Sequence, residues 1–269
     1  MTRKDPDDPL VVAYRVWMET VQHTPHNTVK ARLRALRTLP HPSTATREEV
    51  EAWWESRAGL SPSTRQGDLA HLRGFYRWAR IWEHRDDDPT IRLTSPKVPQ
   101  RLPHPATRSE VAHLMKVLDG DMRRAVALGA YAGCRVEEAA LADWADADME
   151  TRRLLIHGKG QKDRLVALGA PLYDAIGPHR PAGNIVTAGA HVYTANTLQR
   201  QVNRAIKDAG VTGTFHWLRH RAGTVALAAT GGNLLAVARF LGHASVTTTA
   251  GYAATSDEDL DVIAEALGV

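Results

Sequence analysis

Five prolines between Asp86 and Pro105 set how this chain can fold. The stretch reads DDDPTIRLTSPKVPQRLPHP. Pro89, Pro96, Pro99, Pro103 and Pro105 lack amide donors and push the residues before them out of the α region. Neither a helix nor a central strand can run through it, so residues 89–105 are expected to form an extended linker. It separates residues 1–88 from residues 106–269, and each part is long enough to bury its own core.

Residues 1–88 read as a four-helix bundle. A charged start of about eight residues is expected to be disordered. Leu10 to Val21 then has apolar residues at helical spacing, Asn27 or Thr28 caps VKARLRALRTL, Thr46 caps REEVEAWWESR, and Ser61-Pro62 opens a helix to about Trp82. Lys30, Arg34 and Arg37 fall at i, i+4 and i+7, as do Arg73, Arg77 and Arg80, so each set lines one helix face. Either stripe alone reads as a solvated face. Two stripes on two helices of one small domain favour a grip on the DNA backbone. Trp53, Trp54, Phe75, Tyr76 and Trp78 are read as core, not as base-stacking residues.

Residues 106–269 mix helices with a small sheet. Thr107, with Glu110 three residues on, has the capping-box pattern. RRAVALGAYAGCRVEEAALADWADAD gives an apolar helix, a break at Gly133 and a second helix from near Arg135. Free amides and the helix dipole therefore already favour an anion beside Arg135. RRLLIHG and RLVALG flank KGQKD, and Gly158 and Gly160 permit positive φ; this reads as a β-hairpin with Lys159 and Lys162 at its tip. From Thr194 the chain is mostly helical. Ser256 and Asp257 can cap a last helix with Leu260, Ile263 and Leu267 on one face. The expected fold class is mainly α: an N-terminal four-helix domain, then an α-rich domain with a small antiparallel β-sheet.

The run FHWLRHRAGTVALAATGGNLLAVARFLGHASVTTTAGY holds groups suited to phosphoryl transfer: His216, Arg219, His243 and Tyr252. Each alone has a plainer reading. His243 can cap a helix end, Arg135 and Glu138 can form a surface ion pair, and a hairpin lysine is usually just solvated. His216 and His220 are spaced like a metal pair, but Trp217 stands where HExxH needs Glu, so no metal is expected. Taken together and in order, AGCRVEEAALADWADAD, GKGQKDR, HWLRH, LGH and TTTAGY resemble the boxes of the tyrosine recombinase, or phage integrase, family. The resemblance covers most of residues 107–255 and implies roles. Arg135 and Arg219 would bind the phosphate, Glu138 would support the site, and Lys159 would be the catalytic lysine. His216 and His243 would complete the polar set, and Tyr252 would be the nucleophile. The helical N-terminal domain resembles that family's core-binding domain.

The chemistry asks for these residue types. A free tyrosine has a pKa of about 10, so roughly one in a thousand is phenolate at pH 7. Tyr252 therefore needs a cationic site and a proton acceptor, for which His216 is the candidate. Two guanidinium forks can take the charge that builds on the phosphate without a metal, His243 adds a donor, and Lys159 can protonate the leaving 5′ oxygen. The resemblance further implies a 3′-phosphotyrosine intermediate, double-stranded DNA as partner, a homotetramer on two DNA sites with the terminal segment docked on a neighbour, and no cofactor. With about eight residues before the first helix, no arm-site domain is expected. The preferred reading is thus a simple integrase, with directionality left to a separate factor. An Xer-like or transposon-type recombinase, a type IB topoisomerase and a DNA-binding protein with a disabled site remain alternatives.

Composition bounds the rest. Net charge is only +4, but seven of the 34 basic residues are lysine, and the remainder are arginines, which hold phosphate bidentately. One cysteine, Cys134, excludes an internal disulfide and suits a reducing cytoplasm. No apolar run approaches the roughly 20 residues of a membrane span, so a soluble cytoplasmic protein is expected.

Overall fold

In a computed structural model of the chain, the described residues are 8–99, 105–158, 163–178, 183–188, 191–242 and 257–268. The chain forms two compact units, Met1–Arg101 and Leu102–Val269.

The first unit contains α1 (Pro9–Thr20), α2 (His26–Leu36), α3 (Arg47–Ser56) and α4 (Pro62–Ile81). Thr46 and Glu49 form a reciprocal capping box on α3, and Ser61 accepts from the Thr64 amide at the start of α4. Asp8, expected within the disordered start, is instead a buried cap. Its carboxylate accepts from the Leu10 and Val11 amides, and from the Ser43 amide at 2.9 Å. The start of α2 also differs from expectation. Asn27 and Thr28 lie in its first turn, because the Pro25 carbonyl, held at φ −56°, accepts from the Thr28 and Val29 amides and no side-chain cap is used.

Tyr14 packs 5.4 Å from Phe75 and 5.0 Å from Trp78, centroid to centroid, and Met18, Leu36, Leu69 and Leu72 fill the space around them. Trp53, Phe75, Tyr76 and Trp78 are buried, as expected for core residues. Trp54 is only half-buried, with the Arg65 guanidinium 4.2 Å from its ring centre. The proline-rich stretch begins as part of this unit. Leu93 is buried in the helical core, Thr90 is capped by Asp88, and the Arg73 guanidinium donates to the Leu93 carbonyl. Residues 94–99 carry no regular secondary structure.

The second unit is mainly α with a small antiparallel sheet. Its helices are α5 (Arg108–Val117), α6 (Gly120–Tyr131), α7 (Val136–Leu141), α8 (Ala170–Ile176), α9 (Ala195–Asp208), α10 (Phe215–Ala229), α11 (Leu234–Leu241) and α12 (Asp257–Gly268). Strands β1 (Ala147–Asp148), β2 (Arg153–Ile156) and β3 (Arg164–Ala167) pair in that order. The short strands β4 (Thr187–Ala188) and β5 (His191–Val192) form a second antiparallel pair. The expected hairpin is thus present between β2 and β3, with Leu154 opposite Val166 and Ile156 opposite Arg164.

Helix α6 is the hub. Residues 125–130 are all buried, and a methyl placed on Gly129 would lie 3.1 Å from Phe215 and 3.2 Å from Leu218, so α10 packs almost backbone to backbone against it. That contact fixes the start of α10, which carries His216 and Arg219. At the other end of the chain, α12 covers its own unit. Ile263 and Leu267 are buried, the Leu267 carbonyl accepts from Arg221 at 3.3 Å, and Asp261 pairs with Arg153 at 3.0 Å. In the single chain the apolar face of this segment thus packs within its own unit.

Gly133, at φ +60°, turns the chain between α6 and α7. A methyl there would sit 2.8 Å from Leu241. Gly133→Ala is expected to cost about 2–4 kcal/mol, from the positive φ together with overpacking. Gly231→Ala, at φ +58° with nothing within 4 Å, should cost only about 1–2 kcal/mol. Urea midpoints of the two variants check this ordering.

Candidate active site

The site grows from the turn at Gly133. Arg135 caps α7 in an extended conformation, φ −71° and ψ 159°, and Glu138 lies one turn into the helix. Glu138 reaches back, with Oε2 accepting from the Arg135 amide and Oε1 from Arg135 Nη1, both at 2.8 Å. The i, i+3 pair anticipated from sequence is therefore real but not superficial, since Glu138 is 4% exposed. Arg135 keeps 38% of its side chain exposed.

Two more guanidinium groups meet the same carboxylate. Arg164 Nη2 donates to Glu138 Oε2 at 2.8 Å, and Arg219 Nη1 lies 3.7 Å from that oxygen. Arg219 is buried and donates from Nη1 to the Gly133 carbonyl at 2.6 Å and from Nη2 to the Leu241 carbonyl at 2.7 Å. Arg135 approaches the Gly242 carbonyl at 3.5 Å. Leu241 ends α11, and Gly242 stops it in the left-handed region at φ +64°. The negative end of that helix thus helps to hold the arginines.

Charge and burial set the protonation states. Burial pushes the Glu138 carboxyl up, but the hydrogen bond and charge of Arg164, with the bonds from Arg135, outweigh it and hold the group below its usual value. Burial and the neighbouring Arg135 lower Arg219 to about 10, still protonated at neutral pH. His216 stands one turn before Arg219 on the exposed face of α10, in edge contact with His220 at 4.6 Å. Partial burial first, then the neighbouring His220 and the charges of Arg219 and Arg135, lower its pKa, so it is neutral at pH 7 and can accept a proton. Burial raises the Cys134 thiol to about 12, which makes it a core residue and not a nucleophile.

The structure therefore brings together Arg135, Glu138, His216 and Arg219. Lys159, His243 and Tyr252 lie outside the described residues. Of the basic stripes, Lys30, Arg34, Arg37, Arg77 and Arg80 are exposed, whereas Arg73 is half-buried and bonded to Leu93. Among the described residues no cluster of His, Cys, Asp or Glu could hold a metal, and no helix is long and apolar enough to cross a membrane.

Sequence reasoning missed Arg164. It closes the GKGQKDR motif, and its signal is positional: an arginine opposite Ile156 and two before Val166, on the buried side of a strand. His157 was missed as well. At the base of the hairpin its Nδ1 and Nε2 meet Asp163 at 3.0 Å and Asp146 at 3.2 Å, and those bonds raise its pKa.

The model of the phage integrase family matches residues 106–259, more than half of the 269-residue chain. Tyrosine recombinase XerC of Xanthomonas campestris pv. campestris is 31% identical over 211 residues, which cover 72% of this chain and 65% of that protein. The chain thus matches just under two thirds of that relative's length. Among solved structures, the integrase from mycobacterium phage Brujita is 26% identical with a TM-score of 0.53, covering 98% of this chain and 92% of that one. A lambda integrase dimer bound to a COC′ core site has a TM-score of 0.70 at 17% identity, covering 89% of this chain and 95% of that one, and shares the fold. With the arginine boxes brought together around Glu138, and with these matches, the chain belongs to the phage integrase family.

Proposed function

We propose that this chain is a site-specific DNA recombinase that cuts and rejoins DNA strands through a 3′-phosphotyrosine on Tyr252, with no cofactor. The observation that carries this reading is the meeting of Arg135 and Arg219, from different helices, on one buried carboxylate, with His216 a turn from Arg219. Arg219 commits two of its five N–H donors to backbone carbonyls, which leaves others for an anion, and Arg135 is half-buried.

In the step proposed, the Tyr252 oxygen attacks the phosphorus, its proton passes to neutral His216, and the bond to the 5′ oxygen breaks. Lys159 protonates that oxygen. Arg135 and Arg219, with His243, hold the nonbridging oxygens as charge builds on them. The 5′-hydroxyl of another strand reverses the step, so the bond energy is kept and no ATP is required. The exposed residues Lys30, Arg34, Arg37, Arg77 and Arg80 supply the backbone grip, with Arg73 the least available of the two stripes.

Lambda integrase has been solved as a tetramer bound to a Holliday junction. By that likeness this chain acts as a homotetramer on two duplex sites. A simple phage-type integrase is the preferred form, supported by the match to most of the Brujita chain. The identity to XerC favours an Xer-like recombinase as the second reading. A plasmid carrying two copies of the recovered site separates both from a type IB topoisomerase, which would relax the plasmid and exchange nothing.

Nicked duplexes of randomised sequence, incubated with the full chain, should yield a covalent adduct stable to denaturing gels. Tyr252→Phe should bind DNA and form none; an adduct with that variant moves the nucleophile elsewhere. Arg135→Ala should slow adduct formation by at least about 100-fold, and a near-normal rate would refute its role. With His216 as acceptor, the rate should fall as pH drops through a midpoint below 6.5, and His216→Gln should remove that limb. Replacing Arg34, Arg77 and Arg80 should weaken binding evenly across sequences and reduce the salt slope by about one for each phosphate left without its arginine.

A further inference from the structure

Arg164 opens β3 on the buried side of the hairpin, where Ile156 and Val166 are its neighbours. It is 8% exposed. One end of its guanidinium is spent on Glu138, yet Nε and Nη1 are buried without a hydrogen-bond partner among the described residues. Nη1 faces Gly242, where a methyl group would lie 3.2 Å away. A cation so placed is costly to bury, and its contact with Glu138 is the one that explains it.

Among the described residues, Glu138 is the only carboxylate that meets these three guanidinium groups, and its two oxygens divide the work. Oε1 holds Arg135, while Oε2 takes Arg164 and the Arg135 amide. With Arg164 removed, Oε2 keeps the Arg135 amide but loses its one short charged partner, and Arg219 at 3.7 Å is then the cation left to draw that oxygen away from its place beside Arg135. We propose that Arg164 is a positioning residue of the phosphate clamp: it fixes the Glu138 carboxylate, and through it the Arg135 guanidinium, tying β3 to the two arginines that meet DNA. Lys159 lies five residues before Arg164 in the sequence. The inference rests on the recombinase reading for its effect on cleavage, but not for its effect on Arg135.

The test compares wild type, Arg164→Met, Arg164→Lys, Glu138→Gln and the Arg164→Met/Glu138→Gln double variant, all as full chains below their melting temperatures. The probe is the nicked duplex recovered on Tyr252 of the wild type. Three quantities are measured: the rate of covalent adduct formation, DNA affinity, and the side-chain Nε–Hε NMR signal of Arg135 without DNA. Arg164→Met should slow the adduct at least about 10-fold, with affinity within about threefold of wild type, and should shift the Arg135 signal. Arg164→Lys, which keeps one donor to Glu138, should recover most of the rate. The double variant should be no slower than the slower single variant, because both act through one contact.

A wild-type rate in Arg164→Met, multiplied losses in the double variant, or an unmoved Arg135 signal would overturn the proposal. Should Arg164→Met fail to fold, the double variant, which leaves no unpaired carboxylate, is compared with Glu138→Gln: equal rates support the proposal, and further slowing overturns it. If wild type forms no adduct with any duplex, the recombinase reading falls, and the Arg135 signal alone decides the role of Arg164.

Discussion

The second unit depends on one buried negative charge. Glu138, 4% exposed, sits among the guanidinium groups of Arg135, Arg164 and Arg219, and each comes from a different element: the start of α7, β3 and α10. Removing a carboxylate from water costs several kcal/mol, and this one is offset only because hydrogen bonds at 2.8 Å satisfy both oxygens. The cluster still carries excess positive charge. It therefore orders the arginines and leaves them attractive to an anion.

The backbone carries the rest of that positive charge. The Gly133, Leu241 and Gly242 carbonyls face Arg219 and Arg135, and two of them come from the C-terminal end of α11, where the helix dipole is negative. Gly133 and Gly242 both sit at positive φ, so the chain turns sharply on either side of the arginines and presents carbonyls where straight helices would not.

The first unit shows how a pattern can overcount. Arg73 belongs by spacing to the stripe with Arg77 and Arg80, but its guanidinium ties Leu93 to α4 and closes the core against the start of the proline-rich stretch. Packing also separates the tryptophans: Trp53 is buried with its indole N–H on Thr38, while Trp54 stays half-exposed beneath Arg65. Helical periodicity identifies a face but not the neighbour that covers it.

Much of the fold was legible because its causes are local. Thr46 and Thr107 with their reciprocal glutamates mark helix starts, the proline run excludes regular structure, and paired apolar runs around KGQKD make a hairpin. The family motifs likewise named Arg135, Glu138, His216 and Arg219 from their order along the chain. The start of α2 was misread because a proline carbonyl replaced the side-chain cap that local rules seek. Arg164 escaped because its role depends on a carboxylate 26 residues away, brought beside it only when β3 packs near α7. Sequence alone determined which elements form and which residue types the chemistry needs. Tertiary structure alone decided that one buried carboxylate gathers three arginines, because desolvation makes that pairing obligatory only once the core has closed around it.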